Sequence, residues 1–97
     1  MINKHDSEFL VGPVFRPGEL ASIAVEAIET DNPNRDLKVE DRVGYIRVET
    51  EKECIINRET IEQILGRSFQ MSELETILSS FSGRIEVTEE FMRFYLG

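Results

Sequence analysis

A chain of 97 residues with 19 acidic and 11 basic side chains, net charge −8, is long enough for one domain with one modest core, burying a little over ~60% of its unfolded surface. Such a surface disfavours nucleic acid phosphates and anionic membranes and suits a basic or mixed protein partner. The single cysteine, Cys54, excludes a disulfide framework and cysteine-ligated zinc or iron–sulfur sites, and no apolar run approaches the ~18 residues of a membrane span.

Residues 1–10, MINKHDSEFL, are polar, lack the apolar core of a signal peptide and read as a flexible N-terminal tail of a cytoplasmic protein. Residues 11–97 read as one domain. Val11 to Phe15 is a short strand, placed at a sheet edge by Pro13, and Arg16-Pro17-Gly18-Glu19 turns the chain. Leu20, Ile23, Ala24, Ala27 and Ile28 recur at helical spacing, so residues 20–30 form an amphipathic helix with Glu26 and Glu29 outside. Asp31 to Asp36 is a loop, because Pro33 pushes Asn32 out of helix. Leu37–Arg42 and Val43–Thr50 alternate as strands, and Glu51-Lys52 is expected to be a hairpin turn into Glu53–Ile56.

The stretch from Asn57 to Gly83 reads as two helices joined by an elbow. Asn57 is the expected side-chain N-cap of the first, with Ile61, Ile64 and Leu65 on its apolar face and Gly66 ending it. Ser72 with Glu75 is the expected capping box of the second, whose stripe Leu74, Ile77, Leu78 and Phe81 runs to Gly83. In the elbow, Phe69 and Met71 plug the angle while Arg67 and Gln70 face out. Arg84–Thr88 and Phe91–Leu96 alternate as the last two strands. The expected architecture is α+β: a strand–helix–strand–strand half joined to a strand–helix–helix–strand–strand half around a shared core.

No set of residues here carries chemistry. His5 stands alone in the tail, and Cys54 has no base near it in sequence. Asp31–Asp36 fails as a calcium loop, since Pro33 occupies a ligand position and the required glycine is missing. The glycines near Pro13 and Pro17 lack the Lys-Ser/Thr of a phosphate loop, and Phe91, Phe94 and Tyr95 suit core packing better than base stacking at this net charge. The residues alone therefore point to a cofactor-free binding or regulatory domain rather than an enzyme.

Several stretches recur in a familiar order. They are Val11-Gly12-Pro13-Val14, Arg16, Gly18-Glu19-Leu20, Ile28 to Pro33, Val39-Glu40-Asp41-Arg42 and Tyr45-Ile46-Arg47, then Thr60-Ile61-Glu62, Leu65 to Glu75, Ser80 to Gly83 and Arg93-Phe94-Tyr95. In this order the chain resembles the effector (coupling) proteins of bacterial multicomponent di-iron monooxygenases. It is most similar to the toluene 4-monooxygenase type and more distantly to the phenol hydroxylase and soluble methane monooxygenase regulators. The resemblance implies a protein without metal, flavin or haem that docks on the di-iron hydroxylase component. There it alters substrate access and regiochemistry and couples electron input to oxygen activation. It also implies a surface used in turn by the ferredoxin or reductase, and a monomer when free.

Within the matching stretches the expected hydroxylase contacts are exposed positions: Asn32, Pro33, Asn34 and Arg35 in the loop, and Arg67, Phe69, Gln70 and Met71 in the elbow. Pro33 also reads as a helix stop, and Phe69 and Met71 read equally as core. Asn34, Arg35 and Gln70 have no evident packing duty. The alternative is a small-molecule-sensing domain with a pocket between helix and sheet, which a ligand would stabilise without any hydroxylase.

Overall fold

The computed structural model describes residues 9–97, so the expected tail, including His5, lies outside the described residues up to Glu8. Ten elements follow in order: β1 (Leu10–Phe15), α1 (Glu19–Asp31), β2 (Lys38–Asp41), β3 (Ile46–Glu51), β4 (Glu53–Asn57), α2 (Arg58–Leu65), α3 (Met71–Glu75), β5 (Leu78–Ser82), β6 (Arg84–Val87) and β7 (Phe91–Tyr95). The fold is α+β with two antiparallel sheets, ordered β2-β3-β1-β5 and β4-β7-β6. Among the described residues no helix is long and apolar enough to cross a membrane.

Alternation along the strands builds the core as the sequence implies. Val11, Phe15, Ile46, Val48, Cys54, Ile56, Met92 and Phe94 all turn inward. Helix α1 lies on β4 and α2 with Ala21, Ala24, Ala27 and Ile28 fully buried. Three alanines at i, i+3 spacing let the helix backbone come close to the sheet, and Leu20 and Ile23 close its edge half-buried. Phe15 and Phe94, with no exposed surface, contribute about 2–3 kcal/mol each by burial.

Several expectations are corrected. The second helix of the elbow stops at Glu75, where the Thr76 hydroxyl donates to the Glu73 carbonyl (2.6 Å). Leu78–Ser82 is instead a strand on β1, with Gly12 opposite Ser82, Pro13 opposite Phe81 and Val14 opposite Ser80. Three serines in five residues compete poorly for helix, and pairing with an otherwise open side of β1 outweighs the helical spacing of the apolar residues. Consequently β1 is an inner strand rather than an edge. Pro13 is tolerated there because the β1–β3 register skips Gly12 and Pro13, running Leu10–Glu51, Val11–Thr50, Val14–Arg47 and Phe15–Ile46.

Glu51-Lys52 is not a hairpin turn either. Strands β3 and β4 belong to different sheets, and Lys52 is the corner between them, with φ 68°. Its N–H donates to the Phe9 carbonyl (2.9 Å) and its carbonyl accepts from the Leu96 N–H (3.1 Å). A second corner lies at Gly83 (φ 88°), which does not close a helix but carries the chain from β5 into β6. A Cβ there would stand 2.6 Å from Val11 Cγ1 and 2.8 Å from the Tyr95 carbonyl oxygen.

The helix caps also differ from expectation. Asn57 precedes α2 but makes no side-chain cap bond. The cap comes from the end of α1: Asp31 accepts the Asn57 N–H (2.8 Å) through Oδ2 and the Thr60 hydroxyl (2.6 Å) through Oδ1. The N-terminal end of the α2 dipole favours this carboxylate, offsetting its unfavourable place at the C-terminal end of α1. At α3 the capping carboxylate is Glu73, which accepts the Gln70 N–H at 3.0 Å, rather than Glu75 paired with Ser72. Gly66 ends α2 as expected, in the left-handed conformation with φ 73° and its N–H on the Glu62 carbonyl.

Gly83→Ala is expected to cost about 3 kcal/mol, through left-handed backbone strain and the contact with Val11, read as a lower urea midpoint. Burial pushes the Cys54 thiol up to about 12. It is therefore expected to resist iodoacetamide at pH 8 in the native protein and to react readily in denaturant. The same shift stabilises the fold fully below the ordinary thiol value of 9.0 and less as pH rises towards about 12.

Candidate functional site

The expected contact residues fall into two separate places. The loop Asn32–Arg35 borders the start of β4 beside Glu53 and Ile55, and the elbow lies past its far end at Arg58. A five-residue strand, roughly 13 Å at ~3.3 Å per residue, separates them.

In the loop, Pro33, Asn34 and Arg35 are exposed, but Asn32 is 5% exposed, against the expectation. Its amide donates to the Ile28 carbonyl and the Ile55 carbonyl (both 2.8 Å), and its Oδ1 accepts the Ile55 N–H (3.1 Å). Asn32 thus clamps the end of α1 to the backbone of β4, which satisfies carbonyls that a helix C-terminus otherwise leaves open. Arg35 also has a packing duty that the sequence conceals. Its Nη1 donates to the Glu51 carbonyl (2.9 Å), and its Nη2 lies 3.8 Å from the Glu53 carboxylate, bracing the Lys52 corner from outside.

In the elbow, Phe69 (2% exposed) and Met71 (4%) plug the angle between the helices, and Arg67 and Gln70 face solvent. The expected exposure of Phe69 and Met71 as contacts is therefore corrected in favour of their core role. The turn holds its shape through backbone donors: the Phe69 N–H reaches Glu62 Oε2 at 2.9 Å. Arg67 is 3.8 Å from Glu73.

The elbow forms one wall of an open groove of about 710 Å³, lined by Arg58, Phe69, Gln70, Met71, Ser72 and Glu75 and closed opposite by Val87, Thr88 and Glu89. In the sequence Val87 and Thr88 read as the end of a strand, and Glu89 as the link to the next. They reach the groove because Arg58 is bound to Glu90 twice, at 2.8 and 3.0 Å, and its backbone N–H donates to the Glu90 carbonyl. The Glu90 hydrogen bond, reinforced by the charges of Glu90, Glu62 and Glu89, raises the Arg58 pKa against its desolvation. No local sequence signal marks this convergence, since the two walls are more than ten residues apart.

Chemically the described surface offers recognition rather than reaction. Arginine–carboxylate pairs dominate it, as where Arg93 bridges Glu53 and Glu86 and stacks over the Tyr95 ring at 4.2 Å. Among the described residues no three His, Cys, Asp or Glu side chains converge as a metal set.

The profile of the MmoB/DmpM family matches residues 10–95. The alkene monooxygenase effector subunit of Xanthobacter autotrophicus (strain ATCC BAA-1158 / Py2) is 43% identical over 88 residues, 91% of this chain and 87% of that protein. The phenol 2-monooxygenase stimulatory component DmpM of Pseudomonas sp. (strain CF600) is 34% identical over 81 residues, 84% of this chain and 88% of its own. In a solved phenol hydroxylase–regulatory protein complex, one chain superposes with a TM-score of 0.82 at 30% identity, covering 91% of this chain and 99% of that one. The soluble methane monooxygenase regulatory protein B shares the fold, with a TM-score of 0.67 at 21% identity. The chain belongs to the MmoB/DmpM family, the effector subunits of multicomponent monooxygenases.

Proposed function

We propose that this chain is the non-catalytic effector of a multicomponent monooxygenase. It binds the di-iron hydroxylase component and regulates oxygen activation, coupling and regiospecificity. The observation that carries the reading is the fit of the whole described domain to a regulatory protein found in complex with phenol hydroxylase. An effector shifts the hydroxylase only as far as it binds one conformation better than another, so its work is differential docking.

The substrate follows the partner. The ordered motifs favour a toluene-type aromatic hydrocarbon, and the 43% identity to an alkene system's effector favours an alkene. The exposed residues Pro33, Asn34, Arg35, Arg67 and Gln70 make direct contact, while Asn32, Phe69 and Met71 hold those segments in shape. The ferredoxin or reductase uses an overlapping surface in turn. The free protein is a cytoplasmic monomer, and its net charge of −8 speeds docking on a basic rim in a salt-sensitive way.

The test is steady-state turnover of the cognate hydroxylase with its electron-transfer partners, titrated with this protein on toluene and on a short alkene. Coupled product formation is expected to rise and saturate near one effector per active site. No change in rate, coupling or product distribution overturns the reading, and the preferred substrate decides between the two classes. Asn34→Ala and Gln70→Ala are each expected to weaken hydroxylase binding about tenfold without lowering the melting temperature. Asn32→Asp, which faces two carbonyls with a carboxylate, is expected to cost about 3 kcal/mol of stability by urea denaturation.

A further inference from the structure

The elbow groove carries unused bonding capacity of a definite sign. Glu75 on one wall and Glu89 on the other have no cation within 4 Å among the described residues. Among the described residues Arg58 is the only cation lining the groove, and two other carboxylates, Glu62 at 3.7 Å and Glu90 at 2.8 Å, already hold it. The carboxylates around this one guanidinium, Glu62, Glu89 and Glu90, already exceed its charge, and Glu75 adds a further negative charge to the groove lining. Of the apolar residues in the two walls, Val87 is 36% exposed, while Phe69 and Met71 are buried. Arg58 Nε is a buried donor without an acceptor.

An exposed apolar side chain beside unpaired carboxylates matches a long basic side chain, whose methylenes cover Val87 while its head meets Glu75 and Glu89. The depression around Asn34 has no such preference, because Arg35 and Lys38 there balance Asp36 and Glu51.

We propose that the elbow groove is a docking slot for an arginine- or lysine-bearing segment of the hydroxylase, with Glu75 and Glu89 as its recognition residues. The proposal rests on the effector reading and assigns that interface a charge and a position. It extends the elbow part of the contact to the space between the elbow and the β6–β7 turn.

The experiment measures binding to the purified cognate hydroxylase by calorimetry at low and at physiological ionic strength. It compares the wild type, Glu75→Gln/Glu89→Gln, Glu75→Lys/Glu89→Lys and the control Glu26→Gln/Glu29→Gln, which removes the same charge from the exposed side of α1. The neutral groove variant is expected to bind about tenfold more weakly at low salt, with a shallower salt dependence, and the lysine variant more weakly still. The control is expected to stay within about twofold of wild type. Melting curves confirm that each variant folds, since all four positions are exposed.

If the wild type itself does not bind, the effector reading fails. If it binds and the groove variants match either wild type or the control, the slot alone is overturned. A changed self-association of the free protein with hydroxylase binding intact assigns the groove to a second copy, and also overturns it.

Discussion

Two left-handed corners hold the two sheets together. Glu51-Lys52-Glu53 and Ser82-Gly83-Arg84 carry the chain from one sheet into the other at matching positions, with φ 68° at Lys52 and 88° at Gly83. Before the corners, β3 and β5 flank β1; after them, β4 and β6 flank β7, where Glu53 and Arg84 both pair with Tyr95. The molecule is thus a three-stranded ribbon folded across its middle, with β2 added at one margin and helices packed against the bend. A residue of ordinary backbone geometry at either corner would run the strands on straight and leave the buried faces of β1 and β7 without each other.

The second constraint is the end of α1. Asp31 and Asn32 are adjacent, yet one caps α2 and the other fastens β4. A helix terminus that needs acceptors filled and a second helix that needs donors filled are both satisfied by one dipeptide. This fixes the direction in which Pro33, Asn34 and Arg35 leave the core, and so places an exposed polar loop on a rigid base.

Local periodicity made much of this visible in the sequence. Helix α1, strands β3, β4 and β7 and the Gly66 stop follow from spacing and residue type alone, and the ordered motifs led to the family. What escaped depended on distant partners. Leu74, Ile77, Leu78 and Phe81 have helical spacing, but Leu78–Ser82 pairs with a strand more than sixty residues earlier. Asn32 looked like a loop residue because its partner Ile55 is 23 positions away. At the candidate site the elbow was legible, with Phe69 and Met71 as plugs, but the wall supplied by Val87, Thr88 and Glu89 was not. Nothing in a turn's composition says which surface it will face.

The Lys52 corner has a topological consequence. The Phe9 carbonyl and the Leu96 N–H bind the two ends of one residue, so positions 9 and 96 stand within roughly 10 Å of each other. Between them the domain is almost a closed ring. A short linker from Gly97 back to Phe9 would complete that ring with little strain and remove roughly 4–5 kcal/mol of unfolded-chain entropy, as any crosslink over about 90 residues does. The ring could then be opened at the β2–β3 turn, where Val43 is fully exposed and leaves its side chain in water. By that route the order of the elements along the chain becomes separable from the shape they make.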